Sequence, residues 1–220
     1  MRSLSGGGRE KIMKITWLGN TGLLLECERA RILVDPAEGC DASADILLLT
    51  GSCGKYFSKE TVRAFLEKNP EATVLLPRGA YQALSVVIGN YNFVCFGAHS
   101  VWSERNITFY AVRTENPDPT AVGFIVDDGS KTYYISGATL YNYEVIDDVL
   151  ELVEDGVDYA FLPINGRDGS MNAKDAADFA YELGAENAVP LYYGERPGNP
   201  DEFDFEEGKI VLLPNTPLEL

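Results

Sequence analysis

Histidine is almost absent from this sequence; the 220 residues contain one, His99. A hydrolytic zinc or iron centre draws two or three imidazoles from the chain, and a general base is most often one too. One histidine cannot supply such a set. Cysteine is also scarce. Cys27, Cys40, Cys53 and Cys95 are widely spaced and form no C-x-x-C pair, which excludes a zinc ribbon and a disulfide framework. Their pattern reads as free thiols in a cytoplasmic protein. No apolar run is long enough to span a bilayer, and the N-terminus lacks the apolar core of a secretory signal. Positive charge is in deficit, with 18 Lys and Arg against 34 Asp and Glu and a net charge of −16. Such a field repels nucleic acid phosphates and anionic membranes, so neither is expected as a partner. The acidity reads as a solvated surface that favours solubility.

What remains is an ordinary globular chain, 45% hydrophobic and 11% aromatic. Its length fits one domain that buries about 70% of its unfolded surface. Residues 1–12 are polar and glycine-rich and read as a flexible leader, with Met13 an equally good start. The expected domain is 13–220.

From Ile12 the pattern is strand-like. KIMKITWL, GLLLEC and ARILVD predict three strands, turning at Gly19–Gly22 and Glu28–Arg29 and closing at Asp35-Pro36. DILLLT is a short apolar run that reads as a strand buried on both faces. It empties into the small-residue loop Thr50–Phe57. Ser58 caps a predicted helix to Asn69 with an apolar stripe at Val62, Phe65 and Leu66. ATVLLP is a strand, Gly79–Ile88 a helix, and NFVCF a strand. Any linker would lie near Gly97–Glu104. NITFYAVRT, AVGFIVDDGS and KTYYISG predict an antiparallel meander with a hairpin turn at Asp128-Gly129. Asn142–Glu154 is a helix and DYAFLPI a strand. Asn172 or Ser170 caps the helix AKDAADFAYELG, which Gly184 ends. NAVPLYY is a last inner strand, the acidic tail after Gly194 is loop-like, and KIVLLP is expected as an edge strand. The plan repeats: meander, strand and helix, then meander, strand and helix. It predicts an α/β chain folded as a four-layer αββα sandwich.

MKITWLGNTGLLLE with ARILVDP, ADILLLT, YYISGAT, DYAFLPINGRDGSMNAKDAADFA and NAVPLYYG occur in order from Met13 to Gly194. In these segments the chain resembles the metallo-β-lactamase fold superfamily, in the metal-dependent hydrolase branch that includes L-ascorbate-6-phosphate lactonases. The resemblance implies the αββα sandwich and a metal site at the end of the fourth strand. There the family carries T-H-x-H-x-D-H-F, and this chain reads Thr50-Gly51-Ser52-Cys53-Gly54-Lys55-Tyr56-Phe57. By the same frame the family's next histidine falls at Asn116. The bridging aspartate of G-D-T falls at Ala138, and the last histidine, of P-x-H-Y, at Tyr192.

Among these positions only Cys53 is an ordinary zinc ligand. Gly51 and Ala138 have no side-chain donor, Asn116 is a weak neutral one, and Tyr56 and Tyr192 are phenols with pKa near ~10. The Lys55 ammonium puts positive charge where a cation would sit, at a cost on the order of a few kcal/mol. No metal and no cofactor are expected. Lys55 is expected to pair with Asp35 or Asp168, with Tyr56 and Tyr192 filling the vacated volume. The expected function is that of a non-hydrolytic pseudoenzyme that binds a small anionic ligand or a protein partner. The pocket would be built from Asp35, Cys53, Lys55, Tyr56, Asn116, Arg167, Asp168 and Tyr192, with Arg167 as the anion's fork before a helix N-terminus. The alternative is a lactone or phosphoester hydrolase with a non-standard metal site. Two further readings are a Cys53 nucleophile activated by Lys55, for which no base is in view, and a structural subunit whose homo-oligomer interface covers the old site. His99 is expected at the surface or partly packed.

Overall fold

Thirteen strands and four helices follow one another in the computed structural model, which describes residues 12–28, 30–52, 57–85, 89, 91–153, 156–194, 198–206 and 208–220. The first half runs β1 (Ile12–Trp17), β2 (Leu23–Cys27), β3 (Arg31–Val34), β4 (Ile46–Leu48), α1 (Lys59–Lys68), β5 (Thr73–Pro77), α2 (Arg78–Leu84) and β6 (Asn92–Phe96). The second runs β7 (Val101–Glu104), β8 (Ile107–Arg113), β9 (Val122–Asp127), β10 (Thr132–Ile135), α3 (Tyr143–Leu150), β11 (Tyr159–Pro163), α4 (Ala173–Glu182) and β12 (Asn187–Leu191). A 3-10 turn, Pro200–Glu202, precedes β13 (Leu218–Glu219).

Two sheets form, ordered β13-β1-β2-β3-β4-β5-β6 and β12-β11-β10-β9-β8-β7. Side-chain alternation places the layers. Along β4, Ile46 and Leu48 point into the core shared by the two sheets, while Leu47 points outward to join Val62, Phe65 and Leu66 of α1. Both faces of this strand are buried, which is why its sequence reads as an unbroken apolar run. On the second sheet Phe161 of β11 faces inward and Ala160 and Leu162 face α3 and α4. The result is the expected αββα sandwich.

The caps follow local chemistry. Ser58 Oγ accepts from Thr61 N, and Asn172 Oδ1 accepts from Asp175 N at the head of α4; each cap is worth about 1 kcal/mol.

Two expectations about organisation fail, and the stretch 97–104 runs into the second sheet. No linker divides the chain at 97–104; after the turn at Gly97–Ser100, Val101–Glu104 is β7, paired with β8. Its alternation is masked because as an edge strand it leaves Val101 and Trp102 exposed. KIVLLP is not an edge strand. Lys209 makes one isolated bridge to Ala188, and Leu218–Glu219 pairs with β1 instead. The acidic tail is only partly loop-like, because Phe203 and Phe205 are buried under α4 beside Phe179. Two aromatic rings anchor a segment whose composition is otherwise that of a solvated loop.

Strands β3, β4, β5 and β6 run parallel, as do β10, β11 and β12. Asp35, Thr50, Arg78, Ser136, Ile164 and Tyr192 all follow the carboxyl ends of these strands. That end is where α/β folds put their chemistry.

Candidate functional site

Asp35 lies just beyond β3 with a positive φ of 37° and is 2% exposed. Thr50 holds both of its carboxylate oxygens, donating from its backbone N–H at 2.9 Å and from Oγ1 at 2.6 Å. Burial pushes the Asp35 carboxyl up to about 7, against the Thr50 hydrogen bonds that favour the ionised form. Lys55, proposed as its partner, lies outside the described residues with Cys53 and Tyr56. The partner of Asp35 that the structure does place is Thr50.

Beyond Thr50 the chain is tied to the second half of the molecule. Thr50 O accepts from Val122 N at 2.8 Å. Ser52 Oγ donates to Asp118 Oδ2 at 2.6 Å, and Thr120 Oγ1 donates to Asp118 Oδ1 at 2.7 Å. The backbone N–H of Thr120 also reaches Asp118 Oδ1. Burial raises the Asp118 carboxyl, but the Ser52 and Thr120 hydrogen bonds outweigh it and hold the group below the usual range. Gly79 N in turn donates to Thr120 Oγ1 at 3.1 Å. Sequence reasoning missed Ser52, Asp118 and Thr120. The available signal was Asn116-Pro117-Asp118-Pro119-Thr120, a run of turn-forming residues whose short polar side chains bond nearby backbone.

Asn116 and Ala138, both expected near the old metal site, are brought together. Asn116 Nδ2 donates to Ala138 O at 2.8 Å, and Asn116 Oδ1 accepts from Asp118 N at 2.8 Å. Tyr192 follows β12 with φ of 66° and is 3% exposed in the core between the sheets. Asp168 and Arg167 are exposed in the loop after β11. No ion pair of Arg167 occurs among the described residues, and the head of α4 near it is already closed by Asn172 and carries Asp175 in its first turn. A capped, acid-bearing helix start offers an anion little. Arg167 therefore lies exposed in its loop without help from that helix.

Against a metal ion these residues fit poorly. Gly51 and Ala138 offer no side-chain donor, the amide oxygen of Asn116 is already accepting, and Tyr192 is packed in the core. No group of three or more His, Cys, Asp or Glu able to hold a metal ion exists among the described residues. Next to Tyr192 is a cavity of about 460 Å³. Trp17 and Tyr193 form its aromatic wall, their ring centroids 4.6 Å apart, and Asn20 and Glu38 also face it. Among the described residues its one charged lining residue is acidic, Glu38. His99, in the turn between β6 and β7, is exposed and lies 3.4 Å from Asp148 of α3. Among the described residues no helix is long and apolar enough to cross a membrane.

No protein-family model matches the chain, and no curated protein matches it. Solved structures do. Igni18, a metallo hydrolase from the archaeon Ignicoccus hospitalis, superposes with a TM-score of 0.80 at 16% identity, over 96% of this chain and 99% of that one. YhfI of Bacillus subtilis, a metallo-β-lactamase fold protein, gives 0.75 at 16%, over 96% and 100%. CmlA of Streptomyces venezuelae, a diiron β-hydroxylase, gives 0.78 at 14%, over 96% of this chain and 54% of that longer one. The chain has the metallo-β-lactamase fold.

Proposed function

We propose that this protein is a non-hydrolytic metallo-β-lactamase-fold homologue that acts by binding a small anionic ligand at the carboxyl ends of its strands. A fold of this kind hosts unrelated chemistries, so the argument rests on the site. The observation that carries it is the state of Asn116. The side chain at a position resembling a metal ligand has both its amide groups committed to protein partners, Ala138 and Asp118. No hydrolytic step can be written with Gly51, Asn116, Ala138 and Tyr192, whose side chains supply no carboxylate or imidazole base and no set of metal ligands that could activate a water. Arg167 supports the anion, as an exposed guanidinium without an ion pair among the described residues of a chain of net charge −16. Lys55 is proposed to join it, with Asp168 and Tyr56 shaping the pocket. The spaced thiols Cys27, Cys40 and Cys95, which form no disulfide among the described residues, support a reducing, cytoplasmic setting.

The test has two arms. Elemental analysis of protein purified without chelator should find zinc, manganese and iron below stoichiometry, and lactone and phosphodiester hydrolysis with added zinc should stay at background. Turnover lost in Cys53→Ser would replace binding with thiol chemistry, and stoichiometric metal with turnover would restore the hydrolase reading. A thermal-shift screen of sugar phosphates and carboxylates should then give a hit that Arg167→Ala and Lys55→Ala weaken.

A further inference from the structure

The 116–121 loop has two sides. Asn116 and Asp118 bond to Ala138 and Ser52, whereas Pro119, Thr120 and Ala121 line a separate cleft of about 270 Å³. This cleft opens where β5, β6 and β8 end, and its lining includes none of Asp35, Asn116, Arg167, Asp168 or Tyr192. Phe96, Ala98, Pro119 and Val122 give it apolar walls. Among the described residues its charged lining is two arginines, Arg78 and Arg113.

The two guanidinium groups differ. Arg113 is fixed from α3: its Nη1 lies 2.8 Å from Glu144, its Nε 3.7 Å from Asp148, and its backbone N–H donates to Asp148 at 2.8 Å. Arg78 is exposed and has no ion pair among the described residues. Two arginines therefore line one small apolar space, and both of these α3 acids sit on Arg113, which leaves Arg78 as the one without an acid among the described residues. The guanidinium of Arg78 is thus open to a single negative charge. A planar guanidinium fork presents paired N–H donors in the geometry of a carboxylate. The volume falls just below the roughly 300–1,000 Å³ of ligand sites, which limits the body of the ligand to a few carbons or one ring.

We propose that this cleft binds a small monocarboxylate, its carboxylate at Arg78 and Arg113 and its compact apolar body against Phe96, Pro119 and Val122. The site stands apart from the Arg167 loop and survives if that loop binds nothing.

The full-length protein is titrated at low ionic strength with benzoate and with isobutyrate, and with inorganic phosphate for comparison, followed by calorimetry and amide NMR. Both carboxylates should bind saturably and more tightly than phosphate, with shifts at Ala98 and Thr114. Arg78→Gln should weaken them at least tenfold. Ala98→Phe, at an exposed position, should abolish binding by filling the cleft with both charges in place. Arg63→Gln, at an exposed arginine of α1, should leave it unchanged. Binding that ignores both Arg78→Gln and Ala98→Phe overturns the proposal, as does an equal or greater affinity for phosphate or the absence of saturable binding. Loss in Arg167→Ala with binding intact in Arg78→Gln overturns it too, and moves the anion to the Arg167 loop.

Discussion

The side-chain amide of Asn116 donates to the backbone carbonyl of Ala138 at 2.8 Å, joining the loop after β8 to the turn after β10. Two positions that resemble metal ligands are thus bound to each other. Replacing one of them does not rebuild a site. Asn116→His should bind no zinc, and it should cost on the order of 1–3 kcal/mol because Ala138 O and Asp118 N lose their partner. Denaturant unfolding with and without zinc checks this; a zinc-dependent rise in stability would count against it.

Asp118 ties Ser52 and Thr120, residues of different halves of the sandwich, through one carboxylate. Asp118→Ala should destabilise by about 2–4 kcal/mol, since hydrogen bonds to a charged group contribute about 1.5–3 kcal/mol each and are not additive. The sign with pH follows from its depressed folded-state pKa. Its contribution is present above the unfolded value near ~3.9 and fades as pH falls through the lower, folded one. Wild type and variant should therefore converge in acid. A constant difference down to pH 2 would contradict this.

Asp35 has the opposite sign. Its carboxyl is raised to about 7 in the fold by burial, so between the unfolded value near ~3.9 and 7 the native state holds the extra proton. Stability from this group is fullest at acid pH and is lost as pH rises through that window. The loss is at most about 4 kcal/mol, at roughly 1.4 kcal/mol per unit. Asp35→Asn keeps the neutral shape and removes the titration. The difference in stability between wild type and variant should fall from pH 4 to pH 7, and a flat difference would show that the group does not titrate there.

Gly137 sits with φ of +64°, and a Cβ there would come within 2.7 Å of Thr50 Cβ and Oγ1. Gly137→Ala should cost about 2–4 kcal/mol, adding left-handed backbone strain of ~1–2 kcal/mol to the overpacking of a buried contact. The Thr50→Ser, Gly137→Ala double variant should recover part of it, because the methyl at 3.2 Å is removed. The Cβ and hydroxyl oxygen of residue 50 remain at 2.7 Å in the double variant, so the recovery is small, and a Gly137→Ala variant as stable as wild type by denaturant unfolding would contradict the prediction.

Tyr192 is 3% exposed between the sheets. Tyr192→Ala should destabilise by about 3–5 kcal/mol, the range for a buried aromatic. Near-wild-type stability, read by thermal unfolding, would mean that the ring lines an open cleft instead of filling the core.

Much of this was legible in the sequence. The period-2 strands, the doubly buried β4 and the side-chain caps Ser58 and Asn172 are local signals, set by alternation and by the reach of one side chain to a nearby N–H. β7 was not legible, because an edge strand need not alternate, and neither was the anchoring of Phe203 and Phe205, because their partner Phe179 lies on α4. The site divides the same way. That Gly51, Ala138 and Tyr192 bring no imidazole or carboxylate is a matter of residue type and needs no coordinates. That Asn116 spends its amide on Ala138, and that Ser52 meets Asp118, depends on pairs 22 and 66 residues apart.

By itself, then, the sequence determined the layer order and the poverty of metal donors, because periodicity and side-chain chemistry are carried by each residue and its near neighbours. The tertiary structure alone decided which polar groups answer one another at the ends of the strands, and that two arginines from opposite sheets share one cleft. Those facts depend on loops that meet only after both sheets have closed over the core.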